Sequence, residues 1–465
     1  MKVQRLDEAR ARSNQESDQE EVPVGLSDDE LALRFSERHA AELRYVAAWD
    51  RWLIWDYKRW APDEKKRVFD LARALCRSVR DEHLKNPDLT PTQRRTLRTR
   101  LGSAATVYSV VKLAGTDPRH AVSVDQLDAD PWALNTPGGT LDLHTGKMRP
   151  HNPDDLHTKV TAATPGGDYS LFRSVLLTAQ PDETMRSYIQ RLFGYGMTGS
   201  AREHVLPFWW GGGSNAKGTL AHAMRRALGD YGLEIAAETM MESHSERHPT
   251  ETAVLRGARL VVASEIDSGR RWNESRLKRL TGGDPISARY IGKDLFEFEP
   301  SHTLVIIGNA KPGLRSVDEA IRRRMHLVEF NVTISEPDTT IPERLQTEYG
   351  GILAWALEGC LDWQEGGLQP PPPVTAATTA YLLGEDMIQV WLEECCLPSG
   401  QVTLSAAHAS YRDWCERNGG VVVGRNTFGD QLVARGFKRD RESRSGKPVF
   451  SGISLPVTPD YRYAE

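Results

Sequence analysis

Short apolar runs alternate with helix-forming stretches between about residues 171 and 330 of this chain. Continuous apolar strands of this kind are buried on both faces, and strands that alternate with helices form parallel sheets. The pattern therefore predicts an α/β core, residues 169–368, built on a parallel sheet. The predicted strands are residues 205–210, 259–264, 303–307 and 325–330.

The chain before this core has a mixed pattern, which predicts a small α+β module over residues 25–168. Residues 1–24 are polar and charged and are expected to be a disordered tail. The aromatic residues at 49–60 alternate with Arg and Lys, so they could stack bases, but we interpret them as core. The predicted elements are helices at 31–44 (opened by Ser27), 65–80 and 91–113 (capped by Thr90), strands around a turn at 49–60, and a hairpin at 139–148.

The chain after the core predicts a separate C-terminal domain. Four prolines at 370–373 indicate a stiff extended linker, residues 369–381. Helical spacing then recurs at 387–394, 406–418 and 426–435, the last helix capped by Asn426 and stopped by Gly436. A hairpin with a basic turn follows at 437–455. Helices before a basic hairpin favour a winged-helix-like domain, residues 382–465.

A glycine-rich segment with a lysine follows the first apolar run of the core. Glycines let the backbone approach phosphate oxygens, and the next helix adds its positive end. Lys217 would reach the β- and γ-phosphates, which predicts ATP binding; a plain glycine-rich turn is the alternative. The predicted nucleotide-binding residues are Gly211, Gly212, Gly213, Ser214, Asn215, Ala216, Lys217, Gly218 and Thr219.

This loop departs from the pattern Gly-x-x-x-x-Gly-Lys-Ser/Thr at two positions. Ala216 replaces the second glycine, which is tolerable provided that its backbone is not left-handed. Gly218 replaces the magnesium-binding hydroxyl, so we expect Thr219 to contact Mg²⁺ one residue later.

A carboxylate and an amide close two other apolar runs. Glu265 follows the run at 259–264, with Asp267 two residues later, and Asn309 follows the run at 303–307. A carboxylate at this sheet edge can hold Mg²⁺ or polarise water, and an amide can orient that water. Solvated turn residues are the alternative for Asp267 and for Asn309.

Three arginines, Arg322, Arg323 and Arg324, precede the last apolar run of the core. Such a charge run is usually a solvated turn. Beside a phosphate-binding loop, however, Arg323 or Arg324 could reach a neighbouring subunit's γ-phosphate, where such a finger is worth about 10³–10⁵ in rate.

Composition narrows the classes of function. Net charge is −5, with 39% hydrophobic and 26% charged residues, which is ordinary for a globular protein. We expect neither a membrane span nor a secretory signal. The five cysteines form no zinc-type spacing, so a reducing cytoplasm is expected. Nucleic-acid binding stays open, because it needs only a local basic surface.

The ordered motifs together resemble superfamily 3 helicases, in particular the phage/plasmid-type primase–helicase C-terminal region shared with poxvirus-type primase–helicases. The likeness runs from Gly25 onward and departs at Ala216 and at Arg322, where an aromatic residue often stands. The motifs that carry it are the loop 211–219, Glu265, the block Leu-Thr-Gly-Gly-Asp-Pro-Ile-Ser-Ala-Arg at 280–289, Asn309, Arg323 and Arg324.

This resemblance implies an AAA+-like ATPase that forms a ring, expected to be a homo-hexamer, with ATP between neighbouring subunits. Thr219, Glu265 and Asp267 would hold Mg²⁺. A hairpin at 290–298, with Lys293 at its tip and Arg289 beside it, would grip single-stranded DNA. In the winged-helix-like domain, the helix at 426–435, together with Arg441 and Lys447 of the wing, would contact origin duplex; a protein-contact or lid module is the alternative for this domain.

The implied role is replication initiation for a phage, plasmid or integrated element in a bacterial cytoplasm. Forked DNA, a separate primase and host replication proteins are the expected partners. We expect no primer synthesis, because the segment before Gly25 is too short for a polymerase domain. Two alternatives remain: a P-loop kinase of small acceptors, and a nucleotide-gated DNA-binding or scaffolding ring without catalysis.

Overall fold

The computed structural model describes residues 26–243, 250–264, 270–290, 292, 294–314, 317–418, 422–441 and 447–456. The chain divides into two compact units. The first contains Met1–Ala129 with Pro150–Val160, and the second contains Asp130–Arg149 with Thr161–Glu465. The predicted disordered tail, residues 1–24, lies outside the described residues.

The first unit combines helices with a small antiparallel sheet, as predicted. Ser27 caps the first helix through a capping box with Glu30. That helix ends at His39, before the predicted end at residue 44, because the chain turns into a strand there. The elements are α1 Asp28–His39, β1 Leu43–Val46, β2 Arg51–Trp55, β3 Trp60–Pro62, α2 Arg67–His83, α3 Pro91–Leu101 and α4 Ala104–Ala114, with sheet order β1-β2-β3.

The aromatic segment of this unit is mainly core. Trp60 is fully buried and its indole N–H donates to the Pro153 carbonyl at 2.8 Å. Trp52 is buried beside Phe35, at 6.5 Å between ring centroids. The packing supports the core interpretation over base stacking.

The single helix predicted at 91–113 is wrong, since the structure has two helices there. Thr90 caps α3 in a capping box with Gln93, as expected. Helix α3 ends at Leu101, with Gly102 as its C-cap. The Ser103 hydroxyl then accepts from the Thr106 N–H at 3.1 Å and starts α4. A serine that caps a new helix competes with continuation of the old one.

The second unit is built on the predicted parallel sheet. Its strands are β7 Leu206–Trp210, β8 Gly232–Ala236, β9 Leu260–Ser264, β12 Thr303–Gly308 and β13 Met325–Glu329. In the described part of the chain the strand order is β13-β7-β12-β9-β8, with every neighbouring pair parallel. Numbered along the chain within the sheet, this order is 5-1-4-3-2.

Helices cover both faces of this sheet. Adjacent residues of β12, Leu304 and Val305, belong to two different hydrophobic clusters, so the strand is buried on both sides. This confirms the α/β core. The helices of this region are α5 Ser170–Ala179, α6 Glu183–Gly196, α7 Lys217–Ala227, α8 Thr250–Ala253, α9 Glu274–Leu280, α10 Glu319–Arg322, α11 Ile341–Arg344 and α12 Tyr349–Gly366.

The predicted hairpin at 139–148 forms, but it packs in the second unit. Strands β4 Ala133–Thr136, β5 Gly139–Asp142 and β6 Lys147–Arg149 make an antiparallel sheet. Leu141 and Leu143 join the same cluster as Cys360, and the Gln364 amide donates to the Leu143 carbonyl at 2.8 Å. The division between the compact units therefore does not fall at residue 168.

The predicted proline-rich linker is largely a helix, α13 Pro372–Glu385. Proline is compatible with the first turn of a helix, where its missing N–H has no intrahelical acceptor. The Thr378 hydroxyl of α13 accepts from the Leu327 N–H at 2.8 Å, and Tyr381 and Leu382 are buried. This helix covers the β13 edge of the sheet, so an extended linker over 369–381 is wrong.

The C-terminal region has the element order of a winged-helix domain. The elements are α14 Met387–Cys395, β14 Gln401–Thr403, α15 Leu404–Arg417, α16 Arg425–Ala434, β15 Lys438–Arg441 and β16 Pro448–Ser451, with sheet order β14-β16-β15. Helix α16 starts after Gly424 without a side-chain cap, so the predicted Asn426 cap is wrong. Of the helices in the described ranges, none combines the length and apolar character needed to cross a bilayer.

A buried arginine holds the start of β9 against several loops of the second unit. Arg259 is 4% exposed, and its guanidinium donates to the carbonyls of Met197 at 2.8 Å and Ala133 at 2.7 Å. It also lies over the Tyr231 ring, 4.7 Å from the centroid. One side chain therefore satisfies carbonyls from separate segments of the chain.

We predict that Arg259→Ala destabilises the second unit strongly. Each buried carbonyl left without a donor costs about 1–3 kcal/mol, so we expect a loss of about 3 kcal/mol in the free energy of unfolding. Urea unfolding measures this. Arg173→Ala, which removes an exposed arginine of α5, is the matched control and should change stability by less than about 0.5 kcal/mol. Equal effects of both variants would contradict the role of Arg259.

Candidate nucleotide-binding site

The glycine-rich loop joins β7 to α7 in a conformation that requires small residues. A side chain at Gly211 would meet the Asn215 amide at 2.2 Å and the Phe330 carbonyl at 2.5 Å, so only glycine fits. Gly213 has φ +103° and Ser214 has φ 46°. These backbone angles curl the loop over the carboxyl end of the sheet, where open α/β sheets bind ligands.

Ala216 has φ 60° and ψ 5°, which is the left-handed region. Alanine was expected to be tolerable here only if the backbone was not left-handed, and that condition is not met. A left-handed alanine costs about 1–2 kcal/mol relative to the right-handed form. The loop therefore has backbone strain at Ala216.

Lys217 is the buried cation at the centre of this loop. It is 6% exposed, and its ammonium donates to the Gly211 carbonyl at 3.0 Å, the Asn215 side-chain oxygen at 3.3 Å and the Asn309 side-chain oxygen at 2.6 Å. Burial lowers the pKa of Lys217. Among the described residues these acceptors are neutral and no carboxylate pairs with it, so its charge is uncompensated there.

The two asparagines position that lysine. The Asn215 amide N–H donates to the Phe330 carbonyl at 2.9 Å, directly after β13. Asn309 directly follows β12, whose last carbonyl, at Gly308, accepts from the Gly211 N–H at 3.3 Å. The structure thus brings the predicted Lys217 and Asn309 together at the ends of neighbouring strands.

A cavity of about 840 Å³ opens in front of the loop. Its volume is in the range of small-molecule sites. Apolar side chains of α5 line one side, and the segment after β13 lines another, where the Ile334 N–H donates to the Ser214 carbonyl at 2.7 Å. Gly213 through Thr219 line the floor. The remaining walls are Leu171, Ser174, Val175, Thr178, His222, Glu234, Ser264, Ile307, Gly308, Asn309, Ile334, Glu336, Pro337, Asp338 and Ile341.

The residues expected to hold magnesium are Thr219, Glu265 and Asp267. Thr219 lines the cavity as expected. Gly218 leaves space beside it, since an added Cβ would meet only His222, at 3.9 Å. The predicted acids Glu265 and Asp267 lie outside the described residues, and Ser264, which precedes them at the end of β9, lines the cavity.

Glu234 is a cavity carboxylate that the sequence analysis missed. It lies on β8, where Arg225 pairs with it at 2.9 Å and the Ser264 hydroxyl approaches at 3.4 Å. His222 also faces it, at 3.7 Å, and burial is the main cause that lowers the pKa of this imidazole. The sequence offered only a carboxylate inside a short segment of alternating apolar and polar residues, which is a weak signal for a site residue.

The arginine run separates into different environments. Arg322 pairs with Asp386 at 3.1 Å. Arg324 is 6% exposed and donates to the Ala320 carbonyl at 2.9 Å, and burial lowers its pKa. Arg323 is exposed, and no hydrogen bond or ion pair of its guanidinium occurs within the described ranges. All three arginines precede β13 and lie at the amino end of the parallel sheet, whereas the glycine-rich loop lies at its carboxyl end.

Three of the predicted DNA-contacting residues, Arg289, Arg441 and Lys447, lie on or beside two antiparallel strand pairs. Strands β10 Ile286–Arg289 and β11 Leu295–Phe298 form an antiparallel hairpin in which Arg289 is exposed. Lys293, predicted at its tip, lies outside the described residues. Arg441 ends β15 and Lys447 precedes β16, both exposed, and residues 442–446 between them are not described.

Two segments of the chain match known protein families. Residues 32–184 match the family described as D5 N terminal like (D5_N). Residues 209–324, which include the loop and Asn309, match a family of unknown function, DUF5906.

The chain is also similar to helicase- and primase-named viral proteins. It is 29% identical over 309 residues to the helicase-named protein 022R of Frog virus 3, a match covering 61% of this chain and 31% of that protein. It is 25% identical over 323 residues to the helicase-named L207/L206 of Acanthamoeba polyphaga mimivirus, covering 63% and 34%. The primase-named C962R of African swine fever virus is 21% identical over 330 residues, covering 63% and 34%.

The apo structure of the NrS-1 C terminal region is similar in fold. It aligns with 91% of this chain and 99% of that chain at 10% identity, with a TM-score of 0.50. This likeness shows the fold alone, an α/β core of the P-loop type.

These findings support the family that the motifs resemble, the superfamily 3 helicases and primase–helicases. The matched segments span about a third of the length of the viral relatives. The expected bacterial host has no counterpart among these relatives, which come from eukaryotic viruses.

We predict that Ala216→Gly stabilises the protein. Glycine removes about 1–2 kcal/mol of left-handed strain, and its extra freedom in the unfolded chain takes back about 0.4–1 kcal/mol. The net increase in the free energy of unfolding is therefore about 0.5–1 kcal/mol, measured by urea unfolding.

The matched control is Ala223→Gly, inside helix α7, which begins directly after Ala216. There the same replacement should lower stability by about 1 kcal/mol or more. A loss of stability for Ala216→Gly as well would show that residue 216 does not adopt the left-handed conformation.

Proposed function

We propose that this chain is the ATPase motor of a replicative DNA helicase that assembles as a ring. The observation that carries the proposal is Lys217, a buried ammonium with only neutral oxygen acceptors among the described residues, facing a cavity at the carboxyl edge of a parallel sheet. A buried cation without a counter-charge favours an anionic ligand. A nucleoside triphosphate supplies that charge.

Phosphates bind at the loop in this proposal. Lys217 exchanges its protein acceptors for β- and γ-phosphate oxygens, and Asn309, released from the ammonium, orients the attacking water. Bound Mg²⁺, held by Thr219, Glu265 and Asp267, would neutralise charge on the phosphates. The apolar side of the cavity at Leu171 and Val175 of α5 suits a nucleobase.

A neighbouring subunit completes the site in trans. Arg323 is our choice for the finger, because it is exposed and has no partner in the described part of the chain, whereas Arg324 is buried against its own helix. Both lie at the edge of the sheet opposite their own loop, so they suit an adjacent protomer in a closed head-to-tail ring, which we take to be a hexamer.

DNA contact uses the β10–β11 hairpin in the channel of this ring. Arg289 and Lys293 contact phosphates of one strand, and ATP hydrolysis moves the hairpins along it. Contact should be dependent on salt and largely indifferent to sequence. Forked DNA is the substrate, and the winged-helix-like region, through Arg441 and Lys447, adds contact with origin duplex.

We predict that Lys217→Ala abolishes ATP turnover, because no other described cation lines the phosphate end of the cavity. A loss of at least about 10²-fold in steady-state phosphate release is expected. Lys112→Ala, which removes an exposed lysine of the first unit, should leave turnover without DNA unchanged. Retention of turnover by Lys217→Ala would exclude this loop as the catalytic site.

We further predict that Lys217→Ala and Arg323→Ala complement each other when mixed. Each variant alone should be inactive. Random assembly pairs an intact Lys217 with an intact Arg323 at about one quarter of the interfaces in a heterologous ring, so turnover should recover to about that fraction. Arg324→Ala, mixed with Lys217→Ala in the same way, should instead lower the free energy of unfolding, because Arg324 is buried against its own helix.

Absence of recovery in mixtures that native mass measurement shows to be co-assembled would contradict a finger in trans. A protein that stays monomeric with ATP would favour the kinase alternative. A kinase of small acceptors would give no function to the β10–β11 hairpin, which is why we favour the helicase.

A nucleotide-gated ring without hydrolysis is the second candidate, favoured by the strained Ala216 and by Gly218 at the hydroxyl position. Strand displacement on forked DNA, run beside ATP turnover with and without single-stranded DNA, distinguishes the two. Nucleotide binding with ring assembly but no phosphate release or strand separation would favour the second candidate.

A further inference from the structure

We propose that a groove between α2 and α4 of the first unit binds single-stranded DNA, independently of nucleotide. This groove, the α2–α4 groove, has a volume of about 560 Å³. It goes beyond the proposed ATPase function, since its residues all belong to the first unit. The charged and aromatic ones are Lys66, Phe69, Arg73, Arg77, Arg80 and Tyr108.

One wall of the groove is a row of cations. Arg73, Arg77 and Arg80 are spaced four and three residues apart on α2, so they lie on one face of the helix. Lys66, just before the helix, extends the row. A row of guanidinium groups about one helical turn apart matches the repeated charge of a nucleic-acid backbone.

These cations are available to a ligand. Arg77 is exposed, and within the described residues its guanidinium has no ion-pair partner. Arg73 pairs with Asp70 at 3.1 Å and Arg80 with Asp81 at 2.8 Å, in each case with a well-exposed carboxylate. Ion pairs between exposed side chains contribute little, so phosphate oxygens can compete for both arginines.

The charge of this segment is opposite to that of the whole chain. Between residues 65 and 112 the sequence has 12 Lys and Arg against four Asp and Glu, whereas the full chain has a net charge of −5. A local excess of this kind attracts polyanions even on an acidic protein.

An exposed tyrosine, packed on a partly buried phenylalanine, selects single strands over duplex in this groove. Tyr108 is 62% exposed, and its ring meets Phe69 edge-on at 4.9 Å between centroids. Tyrosine is usually less exposed unless a partner covers it. A ring beside a row of cations can stack on an unpaired base, whereas duplex bases are already stacked on each other.

The test measures binding of a labelled oligothymidine to the full chain by fluorescence anisotropy without nucleotide, over a range of salt concentrations. Arg77→Ala should weaken binding and lower the slope of log affinity against log salt by about 0.7, the value for one lost phosphate contact on a single strand. Tyr108→Ala should weaken binding about tenfold without changing that slope, and Tyr108→Phe should restore it.

Arg95→Ala is the matched control, because Arg95 is an exposed arginine of α3 that does not line the groove. It should change affinity less than about twofold. Circular dichroism melting confirms folding of each variant. ATP turnover without DNA should be equal to wild type in all of them, and the binding assay stands whether or not the chain hydrolyses ATP.

Three outcomes would overturn the proposal. The first is unchanged oligothymidine binding in both Arg77→Ala and Tyr108→Ala. The second is an equal loss in Arg95→Ala, which would indicate diffuse electrostatic attraction. The third is a duplex of equal length that binds as tightly as the single strand and is weakened equally by Tyr108→Ala, which would indicate a duplex surface.

Discussion

The buried ammonium of Lys217 is the constraint on which the site depends. Burying a cation costs free energy unless oxygen atoms surround it. Here those atoms come from Gly211, Asn215 and Asn309, at or beside the carboxyl ends of β7 and β12. The position of each of these residues follows from that requirement, including a glycine at 211, because a side chain there would collide with the Asn215 amide. The sheet therefore serves to hold one charge at the opening of the cavity.

A second buried charge, Asp386, joins the sheet to the C-terminal region. It is 4% exposed, it caps α14 through the Gln389 N–H at 3.2 Å, and it pairs with both Arg322 and Arg435. A buried carboxylate that loses one of two arginine partners becomes strongly unfavourable, so the two contacts depend on each other. Arg322 directly precedes Arg323, which gives the winged-helix-like region a physical link to the proposed finger.

Features that rest on strong local patterns were predictable, and those set by tertiary contacts were not. The continuous apolar strands β7, β9, β12 and β13 were found from sequence, whereas β8 was missed because it is a half-exposed edge strand with an alternating pattern. Glu234 was missed with it. Helix α13 was hidden because prolines at a helix start resemble a linker until the buried Val374 and Tyr381 are seen against the sheet. The left-handed backbone of Ala216 comes from loop closure, which composition does not report.

Separate DNA contacts with different dependence on nucleotide have a physical advantage for a motor. A hairpin that moves with ATP hydrolysis must weaken its contact once in each cycle, and a chain with only that contact would then dissociate. A second contact in the same chain turns rebinding into an intramolecular event at an effective concentration of about millimolar, so two weak sites retain a strand that neither would hold alone. The basic segment around Arg77 is suited to this because it lies outside the proposed nucleotide site, and a contact with phosphates would need no particular base sequence. An acidic chain with one basic segment can thereby hold DNA at a chosen surface while its remaining surface repels it.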